Sequence, residues 1–291
     1  MNNTIPYYLL AFLMLLATHG SFDVGFTFIF LIYTVLPMLD EIFSLDLRNP
    51  DEKERKRLEE NDIYFRMALY ATIVADWCLF FKAMNTFSTV ELNLINTFKL
   101  AGFLFIFSNL NAVQFAVSHE IFHKNGPFDK YLGTFHMVKN LYMHFTYEHL
   151  YGHHRRVATP EDPASAEKGI NVYRFFVRSF FGSYKSVYQM EKAEKKPFIA
   201  NYAVLSVFAS VLFTLLMFKV YGIQAGILFL IEAFGSIFYL EAINYIEHYG
   251  IRREKKADGT YEKVTIRHSW NAPHRFSNYL LFKLQRHSDH H

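Results

Sequence analysis

The chain contains one cysteine, Cys78, and it sits in an apolar run. A disulfide framework is therefore excluded, and so is any zinc or iron-sulfur site built on several thiolates. No block of like charge breaks the mixed pattern, and the formal net charge of +3 gives no electrostatic case for binding nucleic acid. Internal repeats and low-complexity tracts are also lacking. No positively charged leader or small-residue cleavage site precedes the first apolar stretch, so no removable signal peptide is expected. What the chain has in excess is apolar and aromatic content, 52% and 18% of its 291 residues. Both values are high for a soluble protein and point to a membrane.

A bilayer core of about 30 Å needs roughly 20 mostly apolar residues per helix. Six runs approach that length: Tyr7 to Thr18, Val24 to Leu39, Tyr64 to Ala83, Leu92 to Val117, Phe198 to Phe218 and Ile223 to Tyr245. Segments 47–66, 122–197 and 247–291 hold 27 of the 30 Lys and Arg residues. Cytoplasmic loops retain positive charge, so an even number of spans places both termini and these three segments on the cytoplasmic face. The expected fold is all-α and polytopic, a single membrane-embedded domain over residues 1–291 with six transmembrane helices. The stretch DEKERKRLEEND (51–62) alternates in sign and reads as a solvated helix between the second and third spans.

Histidines are unusually organised. Among the 14 are three H-x-x-x-H pairs, where random scatter would give fewer than one: His119 with His123, His149 with His153, and His287 with His291. On a helix, residues four apart share a face, so each pair can offer two imidazoles to one metal region. The closing octapeptide LQRHSDHH could by itself be a tag-like tail. Its spacing matches the other pairs, which makes it a ligand segment. By the charge count HEIFHK, EHLYGHH, NYIEHYG and LQRHSDHH all fall on one face. They bring nine candidate ligands together: His119, His123, His149, His153, His154, His248, His287, His290 and His291. Nine exceeds the capacity of one metal, so a two-metal site is expected. Imidazole suits iron, copper, nickel and zinc. Adjacent carboxylates Glu120, Glu148, Glu247 and Asp289 are candidates to orient the imidazoles. His19, His136, His144, His268 and His274 stand alone and read as ordinary surface or core residues. HEIFH also has the form of a zinc-protease helix with Glu120 as general base, but that site would leave six histidines unused.

A histidine-rich metal pair at the end of membrane helices suits chemistry on a substrate dissolved in the bilayer. Apolar C–H bonds offer no handle for acid-base or nucleophilic attack, so dioxygen activation at a redox metal is the expected reaction, with iron the natural candidate. HEIFHK, EHLYGHHRRVATPEDPAS, NYIEHYG, RHSWN and LQRHSDHH, in this order, resemble the integral-membrane alkane monooxygenases, within the membrane fatty-acid desaturase and hydroxylase superfamily. The resemblance runs from about Leu36 to the last residue. It implies six spans and the nine histidines as ligands of a non-haem di-iron centre. It also implies terminal hydroxylation of medium- to long-chain n-alkanes, with electrons from NAD(P)H through a reductase and rubredoxin. An acyl-lipid desaturase, a fatty-acid or sterol hydroxylase, or an inactive metal-binding relative are the alternatives. Arg155, Arg156, Arg252 and Arg253 could meet an acidic electron carrier. Members of the family continue past the last histidine segment, so the 291 residues are expected to be a C-terminally shortened piece.

Overall fold

The computed structural model describes residues 4–19, 25–43, 45–47, 62–124 and 126–287, and these are helical wherever they are regular. In chain order the principal helices are α1 (Ile5–His19), α2 (Gly25–Phe43), α3 (Asp62–Thr89), α4 (Leu94–Phe122) and α5 (Pro127–Lys139). A short α6 follows in three consecutive pieces, Phe145–Tyr147, Glu148–His153 and His154–Arg156. The order closes with α7 (Val172–Ala193), α8 (Tyr202–His248) and α9 (Arg275–Leu280). The expected charged helix at 51–62 lies, apart from its last residue, outside the described residues.

Four helices, α2, α3, α4 and α8, are long and apolar enough to cross a membrane, and α1 is a shorter apolar helix. Their outer faces are unlike a soluble surface: Phe208, Val211, Leu212 and Leu215 on α8 are all more than half exposed. A patch of that kind is stable only when lipid covers it, and the chain is an integral membrane protein. The helix starts follow local chemistry. Asn93 caps α4 by accepting from Asn96 N at 2.9 Å, and Asn171 and Asn201 cap α7 and α8 in the same way.

Apart from Phe198–Ala200, which form a separate 3-10 turn, the fifth and sixth apolar runs fall together on the 47 residues of α8. At about 1.5 Å per residue a straight helix of that length would measure roughly 70 Å, more than twice a bilayer core. It does not run straight, because Gly222 has φ 85° and ψ 174° and the chain reverses there. The Phe213 and Phe229 rings, sixteen positions apart, lie 5.7 Å from each other, and Gly226 packs on the Phe218 ring. A side chain at 222 would meet nothing within 4 Å. Gly222→Ala is therefore expected to cost only the conformational penalty of a positive-φ, extended-ψ backbone that is essentially reserved for glycine, about 1–3 kcal/mol. A thermal unfolding scan of the detergent-purified variant reads it, and an unchanged midpoint would contradict the reversal at Gly222.

The segment after α8 is tied back to the bundle by main-chain bonds. Trp270 N donates to Glu247 O at 2.8 Å and Asp46 N to Pro273 O at 2.8 Å, while within the segment Ala272 N donates to Gln285 O at 3.0 Å. The buried Asp40 of α2 accepts from the first N–H groups of α9, Phe276 and Ser277, each at 2.9 Å. A carboxylate there complements the positive end of the helix and holds the segment that carries His287.

Candidate metal centre

Seven of the nine candidate histidines lie among the described residues, and they gather into two groups. His119, His123, His149 and His154 form one, and His153, His248 and His287 the other, each with ligand atoms within 4.8 Å of one another. His290, His291 and the carboxylate Asp289 lie outside the described residues. His19, His136, His144, His268 and His274 belong to neither group. His136 is buried against Asp76, His144 stacks on Tyr184 with ring centroids 3.5 Å apart, and His268 caps a turn through Thr265 N at 2.9 Å.

In the first group α4 ends at the site: His119 lies in its last turn and His123 caps it, their rings 4.6 Å apart. His149 Nε2 is 2.7 Å from His119 Nε2 and 2.9 Å from His154 Nε2. His149 thus pairs with the residue five positions on, whereas His153, four positions on, joins the other group. The reason is local. Residues Glu148–His153 form a π-helical turn in which His154 N donates to His149 O. This i→i+5 winding stacks position 154 over 149 and swings 153 aside. In the second group His248 Nε2 and His287 Nε2 are 3.1 Å apart, with the His153 ring 4.9 Å from that of His248.

The electrostatics suit a cation. Burial pushes His123 down to about 4, and His154 down to about 3 with help from His153, so both rings are neutral imidazoles near pH 7. Ligand nitrogens at right angles around a metal about 2.1 Å away would stand about 3 Å apart, close to the 2.7 and 2.9 Å found in the first group. The donor set, all imidazole and largely buried, fits a first-row transition metal and not calcium or magnesium.

The carboxylates fall differently from their sequence neighbours. Glu120 pairs with Lys124 at 2.9 Å, and Glu148 accepts from Arg156 at 2.8 Å and Ser186 at 3.1 Å. Glu247 Oε2 lies 3.6 Å from Nδ1 of His287, a residue of another segment. A close carboxylate partner is one the sequence did not single out: His153 Nδ1–H donates to Asp162 Oδ2 at 2.9 Å. Asp162 is 1% exposed and also accepts from Ser165 Oγ at 2.5 Å. Burial alone would raise the Asp162 carboxyl, yet the positive charge and hydrogen bond of His153, with Ser165, bring it down to about 2. Reciprocally, burial disfavours charge on His153, and Asp162 overcomes it and raises that imidazole. The only sequence signal was its position in the proline-flanked stretch TPEDPAS, nine residues past His153.

Beside the histidines is a cavity of about 260 Å³ with almost wholly apolar walls from α4 (Ala112, Phe115, Ala116), α8 (Leu240, Ile243) and the last segment (Trp270, Leu281, Leu284). His119 and His149 of the first group and His287 of the second line it. One apolar chamber therefore touches both histidine groups.

A polytopic helical membrane protein that draws two histidine groups to the end of its bundle, against an apolar chamber, is of the membrane histidine-cluster class. Comparison with known proteins narrows the class. A family model for fatty acid desaturase matches residues 96–291. The chain is 36% identical to an alkane 1-monooxygenase of Acinetobacter baylyi, over 89% of this chain and 64% of that protein. It is 35% identical to one of Pseudomonas putida over 89% and 65%, and 32% identical to an alkane 1-monooxygenase 1 of Pseudomonas aeruginosa over 92% and 71%. The chain belongs to the fatty acid desaturase family and, within it, to the alkane 1-monooxygenases. It spans about 64–65% of the length of the first of these relatives.

Proposed function

We propose that this protein is a di-iron monooxygenase that hydroxylates the terminal carbon of medium- to long-chain n-alkanes. The observation that carries the reading is the cavity: an apolar chamber lined by histidines of both groups. The reaction consumes an alkane, dioxygen, two electrons and two protons, and yields a 1-alkanol and water. Two irons would be held by His119, His123, His149 and His154 and by His153, His248 and His287, with His290 and His291 completing the nine. Iron bound there supplies the dioxygen chemistry. The chain's own part is to bind and orient. Ala112, Ala116 and Leu240 offer the alkane a wall without hydrogen-bonding groups, and Phe115 and Leu284 help exclude water from the chamber. Asp162 and Glu247 hold the rings of His153 and His287.

In this reading six helices span the bilayer, α1, α2, α3, α4 and the two limbs of α8, with both termini and the histidine groups on the cytoplasmic side. Electrons arrive from NAD(P)H through a reductase and rubredoxin. Arg155, Arg156, Arg252 and Arg253 offer a positive surface to an acidic carrier of that kind, and Arg156 also pairs with Glu148.

The test starts with metal. Iron, zinc and copper per chain are measured by mass spectrometry on the detergent-purified protein, followed by turnover of a hydrocarbon ladder with NADH, reductase and rubredoxin. About two irons per chain and 1-alkanol products are expected. Zinc in place of iron, or alkene products, would sink the reading. Ala116→Phe isolates the chamber: Ala116 is buried one turn before His119 and faces the cavity. The variant should keep its metal and lose about tenfold or more in hydroxylation of long alkanes, with short alkanes less affected. Equal activity along the whole ladder would show that alkanes do not occupy this cavity.

A further inference from the structure

The stretch between α4 and α7 carries a dense share of the basic residues, and on charge alone it is a loop outside the membrane. In the structure part of it runs back along the helix bundle. α3 starts at the histidine end of the bundle, where Asp62 pairs at 2.9 Å with Lys124, the neighbour of His123. From there α5 runs alongside α3 and away from the histidines. Asp129 meets Arg66 at 2.5 Å, the Phe128 ring lies 6.0 Å from Tyr70, and the Phe135 ring stacks at 5.8 Å on Trp77. His136 then reaches Asp76 at 3.3 Å. Between Arg66 and Asp76 α3 rises about 15 Å, so α5 descends roughly half a bilayer core. At its end the chain turns through Leu141, which takes a left-handed backbone with φ 55°. It then climbs back past Tyr142, which donates to Glu241 at 2.8 Å, to set His149 against His119.

The tip of this excursion is buried and polar. Lys139 is 1% exposed; its Nζ lies 2.6 Å from Asp76 of α3 and also donates to Asn111 of α4, which in turn donates to Glu232 of α8 at 2.5 Å. Asn140 Nδ2 donates to Asn111 O at 3.5 Å. The outer face of α5 is the opposite, since Phe128, Tyr131 and Phe135 are 66%, 77% and 58% exposed. An aromatic stripe outside and an ion pair within, halfway down a spanning helix, are what a segment dipping into a bilayer needs. Irregular backbone at that depth must be buried in protein, and charges there must be paired.

We propose that residues 127–154 form a re-entrant arm whose tip is locked by Lys139 on Asp76 and Asn111, and that this lock sets the position of His149, His153 and His154 on the returning limb. Lys139 and Asp76 are positioning residues. The role of the three histidines rests on the metal reading above, whereas the path of the arm does not.

The experiment labels cysteines in sealed membrane vesicles with a membrane-impermeant maleimide, in a Cys78→Ser background. Leu92→Cys and Lys256→Cys serve as references, for the α3–α4 turn and the histidine end. Lys130→Cys and Tyr151→Cys are expected to label from the same side as Lys256→Cys. Phe135→Cys should resist the impermeant reagent from both sides yet react with a lipid-soluble maleimide, because its exposed face meets lipid. Rapid aqueous labelling of Phe135→Cys, or labelling of Lys130→Cys and Tyr151→Cys from opposite sides, overturns the arm. For the lock, Lys139→Met strands a buried carboxylate and should lower metal per chain about tenfold, while Lys139→Met with Asp76→Asn restores it. Wild-type metal content in the single variant overturns the lock. Should the single variant not accumulate, the lock stands only if the double variant accumulates with wild-type labelling and metal, and falls if it does not. A wild-type protein without metal would refute the metal reading and leave the labelling result intact.

Discussion

His149→Ala is expected to abolish hydroxylation and to remove about one of two metals per chain while leaving the protein inserted in the membrane. The effect is large because His149 is the hub of its group: its Nε2 contacts both His119 and His154, and its ring also faces the apolar cavity. Removal leaves the remaining imidazoles without their shared neighbour and opens a polar hole beside the chamber. Loss of a partner that only orients a ligand typically costs 10–100-fold, and loss of a ligand itself should exceed about a hundredfold. Mass spectrometry of metal per chain, product analysis by gas chromatography and circular dichroism separate loss of the site from loss of the fold. Retained turnover would remove His149 from the site.

Asp162→Ala should weaken metal retention at the second group by about 10–100-fold while sparing the first. The carboxylate fixes Nδ1–H of His153 and so turns Nε2 toward His248 and His287. It also organises its own loop, accepting from Ala164 N at 3.2 Å and from Ser165 Oγ. Ser165→Ala is therefore the control. It breaks the loop contact and leaves the His153 contact in place, and it should retain metal within about twofold of wild type if ring orientation is what matters. Equal losses in both variants would assign the effect to the loop, and unchanged metal in Asp162→Ala would end the orienting role.

Apolar runs and histidine spacing carried most of what could be read without coordinates. A helix inside a membrane must be apolar over most of its length, so the third and fourth runs mark the starts of α3 and α4 to within two residues, and the helices continue six and five residues past them. The histidine segments were legible because four-residue spacing projects two rings to one face. For His119 and His123 at the end of α4 that inference corresponds to the contact found. For the second pair the same spacing misleads, because the π turn at Glu148–His153 sends His149 and His153 to different groups. Nothing in the composition of EHLYGHH announces that extra residue in the turn.

By itself the sequence determined the class of the protein: a helical membrane protein with histidine segments at recurrent spacing, a signal that lives in residue type and short-range period. Tertiary structure alone decided which carboxylate meets which histidine, how the rings divide between two groups, where the apolar chamber lies, and how far residues 127–154 descend beside α3. The physical reason is that each of these depends on contacts between residues far apart in the chain. Asp76 meets Lys139 and Asn111 meets Glu232 across helices whose spacing and tilt no local period encodes.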